Sequence, residues 1–256
     1  YKRQIEVDGK NVNEMEYSDA VNLVRGKAGT EVNIAVKRGD EEISFKMKRE
    51  EITTETVTSR MLENNIAYIK ITGFKENTSH QFNIELKKCL ENNASAIIFD
   101  VRNNGGGLVS ACSDCLDPLL PEGDIAIAEF KDGSTEVICK SDKIELDLPM
   151  AVLVNEYSAS AAELFAAALR DFGKAVLVGQ NTFGKGIMQN TYNLDNGGGL
   201  KLTVAKYRTV KSECYHGLGL KPDYETALPD KYSENQSDDI PENEDTQLQK
   251  AIEILK

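Results

Sequence analysis

The sequence predicts an α/β protein: a small β-rich unit over residues 1–50, an α/β domain over residues 51–221, and a terminal acidic arm with a helix over residues 222–256. Three observations carry this. The runs SAIIFD (95–100), PMAVLVN (149–155) and KAVLVG (174–179) are short, apolar and without alternation, as strands buried on both faces read. Helix-patterned segments separate them, which predicts a largely parallel core with antiparallel edges. Residues 30–49, by contrast, alternate apolar and polar around a Gly39-Asp40 turn, the pattern of a two-stranded hairpin.

In chain order, QIEVDG is a strand and turn. SDAVNLVRG is a short helix, with Ser18 as its N-cap and Gly26 as its stop. TETVTSRMLENNIAYIKITGF is a hairpin turning through Glu63, Asn64 and Asn65. ENTSHQFNIELKKCLEN is a helix of about 15 residues. GLVSACSDCLDPLLPEG is a helix ended by Pro118 or Pro121, because proline removes a backbone donor. DIAIAEF and STEVICK flank the turn Asp132-Gly133, and GGLKLTVAKYRT is a further strand. SAAELFAAALRDFG is alanine-rich and apolar over much of its surface, as a buried helix is. After residue 221 the chain turns polar and acidic with three prolines, then closes on a helix with Leu248, Ile252 and Leu255 on or near one face. That stripe predicts packing on the core or on a partner.

The chemistry concentrates at Ser160 and Lys185. Ser160 stands where the apolar run VLVN gives way to a helix, a turn that exposes a hydroxyl beside unpaired N-terminal amides. Taken alone it reads as a helix N-cap. Lys185 lies in TFGKG, just after the next apolar run, and taken alone is a loop charge. Together they suit a Ser-Lys pair, in which a lysine replaces histidine as base. The chain has only two histidines: His80 opens an amphipathic helix and His216 lies in a turn-rich stretch.

The segments GKNVNEMEYSDAVNLVRGKAGTEVNIAVKRG, NIAYIKITGF, DVRNNGGG, NEYSASAAE, TFGKGIMQ and HGLGLKPD, in that order, resemble the C-terminal processing peptidases, or tail-specific proteases. These are serine peptidases with a Ser-Lys dyad and a PDZ domain. The resemblance implies Ser160 as nucleophile, Lys185 as general base and Gln189 as the amide that orients the lysine. It implies an oxyanion hole from the backbone N–H groups of Gly106 and Ala161. Gly105 and Gly107 flank that loop, with Asp100 and Arg102 as its supporting pair; the family usually has proline where Gly105 stands. It implies a crotonase-like core, substrates that are proteins or peptides with accessible C-termini, and a homodimer in preference to a monomer. It further implies an extracytoplasmic protein, secreted or anchored to a bacterial membrane by an N-terminal segment outside this sequence. No cofactor or metal is implied. Residues 5–50 resemble the later part of a PDZ domain, without the carboxylate-binding loop and peptide-binding strand that would precede it.

The site's requirements fit the residues. A lysine acts as a base only when neutral, and its ordinary pKa is about 10.4. Burial favours the neutral form, and no Asp or Glu stands within eight residues before Lys185 or five after it. An amide at Gln189 adds no charge that would hold the ammonium form. The glycines 105–107 let backbone approach a substrate closely. They are not a phosphate loop, because no GxxxxGK[ST] pattern is present.

Forty-two acidic against thirty basic residues give a net charge of −12, which argues against a nucleic-acid partner. Cys112 and Cys115 form a CxxC, but Cys89, Cys139 and Cys214 are isolated, so a second zinc-binding pair is missing. Buried reduced thiols are expected. Two further readings compete: a weak or inactive substrate-binding scaffold, and an acyl-CoA enzyme on a crotonase-like core. The first predicts low, conditional or no turnover, and the second predicts CoA binding.

Overall fold

The computed structural model describes residues 4–13, 15–50, 54–142, 145–195, 197–233 and 240–256. The chain divides into two compact units, Tyr1–Thr54 and Glu55–Lys256. The terminal helix and the described residues of the acidic arm therefore fall within the larger unit.

The first unit contains β1 (Gln4–Val7), β2 (Lys10–Asn11), α1 (Tyr17–Val24), β3 (Glu31–Arg38) and β4 (Glu41–Lys48), with sheet order β2-β1-β3-β4. Val7, Val12, Val32 and Ile34 form its core. Gly39 takes the positive φ that the tight β3–β4 turn requires. The expectation that Ser18 caps α1 is corrected. The helix starts at Tyr17 after Glu16, whose carbonyl accepts the N–H of Asp19 and Ala20, so Ser18 is already inside the first turn. At the other end Arg49 reaches back, its guanidinium donating to the carbonyls of Val24 (2.8 Å) and Leu23 (3.0 Å). A side chain thus satisfies carbonyls that the helix end leaves open.

The second unit is built on β5 (Val57–Met61), β6 (Ile66–Ile71), α2 (Thr78–Glu91), β7 (Ala96–Asp100), α3 (Val109–Leu116), β8 (Gly123–Phe130), β9 (Thr135–Ser141), β10 (Met150–Val154), α4 (Ala161–Asp171), β11 (Ala175–Gly179), β12 (Ile187–Asn193), β13 (Gly199–Thr209), β14 (Tyr224–Glu225), α5 (Asp230–Ser233) and α6 (Thr246–Leu255). One sheet runs β14-β11-β10-β7-β6-β5, parallel throughout except for the β5–β6 hairpin. The second, β12-β13-β8-β9, is antiparallel. Two of these strands, β12 and β14, have no counterpart in the sequence reading. Helix α3 stops at Leu116 and passes into a 3-10 turn over Asp117–Leu119 that contains Pro118.

Strand alternation divides the parallel sheet's side chains between two cores. Ile97, Phe99, Val152, Val154 and Leu177 pack with α2, α3 and α4, where Phe99 meets Phe165 edge-on at 5.3 Å. Ala96, Ile98, Ala151, Leu153 and Val178 face the other way, onto Leu248, Ala251 and Ile252 of α6. The terminal helix is therefore packed on its own unit. The loops that follow β7, β10 and β11 all leave the carboxyl ends of adjacent parallel strands, the place where open α/β sheets build their sites.

Candidate active site

Ser160 is the last residue before α4 and has φ 59° and ψ −120°. A non-glycine residue in this region is strained by about 1–3 kcal/mol and persists only where its surroundings impose it. The glycine loop after β7 is one such constraint. A Cβ on Gly106 would lie 2.7 Å from Ser160 Cβ and from the Ala159 carbonyl, and 2.9 Å from Ala161 N, so only glycine lets the loop lie against the serine turn. Asn104 connects the two further: its carbonyl accepts the Ala159 N–H at 2.9 Å, and its side-chain amide donates to the Ile71 carbonyl at 2.9 Å. Its Oδ1 accepts the Gly106 N–H at 2.8 Å. Of the two N–H groups expected to line an oxyanion hole, that of Gly106 is thus engaged by a side chain in this state. The Ala161 N–H has no hydrogen-bond partner among the described residues.

Glu163 ties the serine turn to the lysine loop. It is fully buried, and its carboxylate accepts four bonds. Oε1 receives Thr182 Oγ1 (2.6 Å) and the Gly184 N–H (2.7 Å). Oε2 receives the N–H groups of Ser160 (2.9 Å) and Lys185 (2.8 Å). Two residues 25 apart in sequence therefore share one oxygen through their main chains. Lys185 itself is half-buried. Its Nζ makes no hydrogen bond to Ser160 Oγ among the described residues. The hydroxyl of Tyr207 lies 3.3 Å from Ser160 Oγ and 3.0 Å from the Lys185 carbonyl. Burial pushes this phenol up to about 12, against the smaller lowering effect of its Ser160 hydrogen bond. It remains a proton donor at ordinary pH.

Behind the glycine loop is a buried charge cluster. Arg102 binds Asp100 through Nε (3.0 Å to each oxygen) and Nη2 (2.6 Å), and reaches α6 through Asp245 (3.0 and 2.8 Å) and Gln247 (3.0 Å). Tyr68 donates to Asp100 at 2.6 Å. Burial alone would raise the Asp100 carboxyl, but the Arg102 guanidinium and the Tyr68 hydroxyl outweigh it and hold the group below its ordinary value.

Residues 65–226, more than half of the chain, match the profile of peptidase family S41. The chain belongs to peptidase family S41. Over 228 residues this S41 chain is 40% identical to the carboxy-terminal processing protease CtpA of Bacillus subtilis, a match that takes in 88% of the chain and 49% of the relative. It is 35% identical over 232 residues to a "Probable CtpA-like serine protease" of Staphylococcus aureus, covering 90% of the chain and 47% of that protein. The chain thus spans about half the length of the curated relatives it matches. Among solved structures it resembles the photosystem II D1 C-terminal processing protease, with TM-score 0.63 and 27% identity over 90% of this chain and 65% of that one.

The remaining sequence-selected residues of this S41 chain divide. Gln189 lies on β12 beside a bulge, exposed, with its amide 3.5 Å from Thr203 Oγ1 on β13 and, among the described residues, no bond to Lys185. Gly107 packs against Phe74, where a Cβ would meet the Phe74 carbonyl at 2.0 Å, whereas a Cβ on Gly105 would meet open space. His80 is exposed on α2. His216 is exposed too, with Nδ1 3.2 Å from the Gly184 carbonyl, next to the lysine loop but, among the described residues, bonded to neither the Ser160 nor the Lys185 side chain. Cys112 and Cys115 are free, buried thiols on α3 that burial pushes well up, and Cys112 lies 3.3 Å from the Ala161 carbonyl. Sequence reasoning missed Glu163, Tyr207 and Asn104. Ser160 followed three residues later by Glu163 is a capping-box pattern, a signal that was there to read.

Proposed function

We propose that this chain carries the catalytic unit of a serine endopeptidase that cuts protein substrates near their C-termini through a Ser-Lys acyl-enzyme mechanism. The observation that carries the reading is the shared Glu163 oxygen, which holds the Ser160 and Lys185 main chains together at the carboxyl end of the parallel sheet. In this mechanism Ser160 Oγ attacks the scissile carbonyl while the neutral Lys185 amine takes its proton and passes it to the departing amine. The Ala161 N–H, unpartnered among the described residues, receives the developing oxyanion at the head of α4. The Gly106 N–H joins it once its bond to Asn104 opens. Water then hydrolyses the acyl-enzyme, with Lys185 again moving the proton. Gln189 contributes only if β12 shifts to bring its amide toward the lysine.

The relatives named as carboxy-terminal processing proteases support the substrate class: proteins or peptides with accessible chain ends. On the same footing we assign the protein to an extracytoplasmic location and the first unit to a PDZ-like, chain-end-binding role, and favour a homodimer. A second reading, a weak or inactive substrate-binding scaffold, draws on the absence of a Lys185–Ser160 hydrogen bond among the described residues. Hydrolysis of a C-terminally tagged peptide by wild type and Ser160→Ala separates the two. Cleavage by wild type alone supports the peptidase; equal rates, or none from either, refute it.

A further inference from the structure

Tyr207 holds the lysine loop at two consecutive carbonyls. Its own N–H donates to the Gly186 carbonyl at 3.1 Å, and its side-chain hydroxyl reaches the Lys185 carbonyl at 3.0 Å. The same hydroxyl lies 3.3 Å from Ser160 Oγ. A phenol has one proton, and a carbonyl can only accept. The proton is therefore shared between the main chain of one dyad residue and the reacting oxygen of the other. The ring is fixed for this. It is 1% exposed, it stands on β13 in register with Ala128 of β8, and Tyr215 packs edge-to-face on it with centroids 6.1 Å apart.

We propose that Tyr207 is a third catalytic side chain: its hydroxyl, anchored on the Lys185 carbonyl, donates to Ser160 Oγ when negative charge develops there. At rest the stronger acceptor geometry is the shorter one, toward Lys185. As Lys185 removes the serine proton, Oγ becomes the better acceptor, since hydrogen bonds to charged oxygen are about twice as strong as neutral ones. The donor swings by a rotation of the O–H alone. The phenol keeps its proton throughout, so no proton transfer is added to the reaction. When the acyl-enzyme breaks down, the same donor stabilises Oγ as the leaving oxygen. Tyr207 thus acts on the step at Oγ, whereas the amides near Ala161 act on the substrate's carbonyl oxygen.

This inference rests on the serine-peptidase reading. The test is steady-state hydrolysis of a tagged peptide, with fluorophosphonate labelling of Ser160, by wild type, Ser160→Ala and Tyr207→Phe. The phenylalanine keeps the buried ring and removes only the hydroxyl. The expected result is a kcat lower by about tenfold to a hundredfold, the scale of one hydrogen bond to a group gaining charge. KM stays within about twofold, labelling slows in parallel, and the melting temperature holds. Wild-type kcat in Tyr207→Phe, or a rise in KM at constant kcat, overturns the proposal. If Tyr207→Phe does not fold, fluorinated tyrosines incorporated at position 207 replace it. A kcat that tracks phenol acidity supports the donor, and a flat response refutes it. If wild type neither hydrolyses nor labels while folded, the peptidase reading fails and this inference fails with it. An active wild type with an unaffected Tyr207→Phe sinks the inference alone.

Discussion

Replacing Glu163 by glutamine preserves shape and removes one acceptor oxygen. The wild-type carboxylate accepts from two donors on each oxygen: Thr182 Oγ1 and Gly184 N on one, Ser160 N and Lys185 N on the other. In either amide orientation an NH2 group replaces one oxygen, so two donors face a donor inside a fully buried site. Hydrogen bonds to charged groups are worth about 1.5–3 kcal/mol each, so losing two costs roughly 3–6 kcal/mol. Loss of negative charge at the head of α4 adds about 0.3–1 kcal/mol. Against a domain stability of about 5–15 kcal/mol, the variant is folded but much weakened. The chain has no tryptophan, so urea unfolding is followed by far-ultraviolet circular dichroism. The midpoint should drop with little change in slope, and turnover should fall to near background, because the amide releases Ser160 and Lys185 from a common anchor. A loss below about 1 kcal/mol with turnover intact would refute the role given to this carboxylate.

Two further outcomes follow from the network behind the glycine loop. The depressed Asp100 carboxyl contributes stability that is complete above its unfolded-state pKa, about 3.9, and is lost as pH falls through its lower folded value. Tyr68→Phe removes one bond that lowers it, so the loss on acidification should be smaller in total and finished at a higher pH in thermal melts from pH 2 to 7; a profile parallel to wild type contradicts this. Deleting residues 244–256 strips Leu248 and Ile252 from the sheet and leaves Arg102 without Asp245. Breaking the buried pair alone costs about 3–5 kcal/mol, so melting and kcat should both fall; an unchanged melt with unchanged turnover would reduce the helix to an ornament.

Much of this architecture was legible because burial leaves a pattern in sequence. The parallel strands read as unbroken apolar runs since both of their faces are covered. The stripe of Leu248 and Ile252 announced a packed helix. Ser160 and Lys185 were singled out because ordered segments outweighed what either residue means alone. The pattern failed where structure depends on distant partners. β12 is mostly exposed and reads as polar loop; it is a strand because β13 pairs with it. β14 is two residues long and exists only beside β11. Tyr207 reads as one more core aromatic in an alternating strand, and nothing local indicates that its hydroxyl meets Ser160. Glu163 sits in an alanine-rich helix with apolar residues on either side of it, and its partners on the lysine loop are brought in by the crossover to β11. The Asn104 bond to the Gly106 N–H is local, but glycine and asparagine side by side suit many turns. Ser18 shows the reverse error, a good capping residue that stands two residues past the cap.

The central claim is that Lys185 activates Ser160. The direct measurement is the rate of fluorophosphonate labelling, read by mass spectrometry, for wild type, Ser160→Ala and Lys185→Arg. Guanidinium stays protonated, so Lys185→Arg keeps the charge and loses the base. The account predicts an adduct on Ser160 in wild type, forming faster as pH rises, none in Ser160→Ala, and labelling in Lys185→Arg slowed by at least about a hundredfold. An adduct on Ser160 forming at the wild-type rate in Lys185→Arg would contradict the dyad and turn attention to His216, which stands beside the same loop.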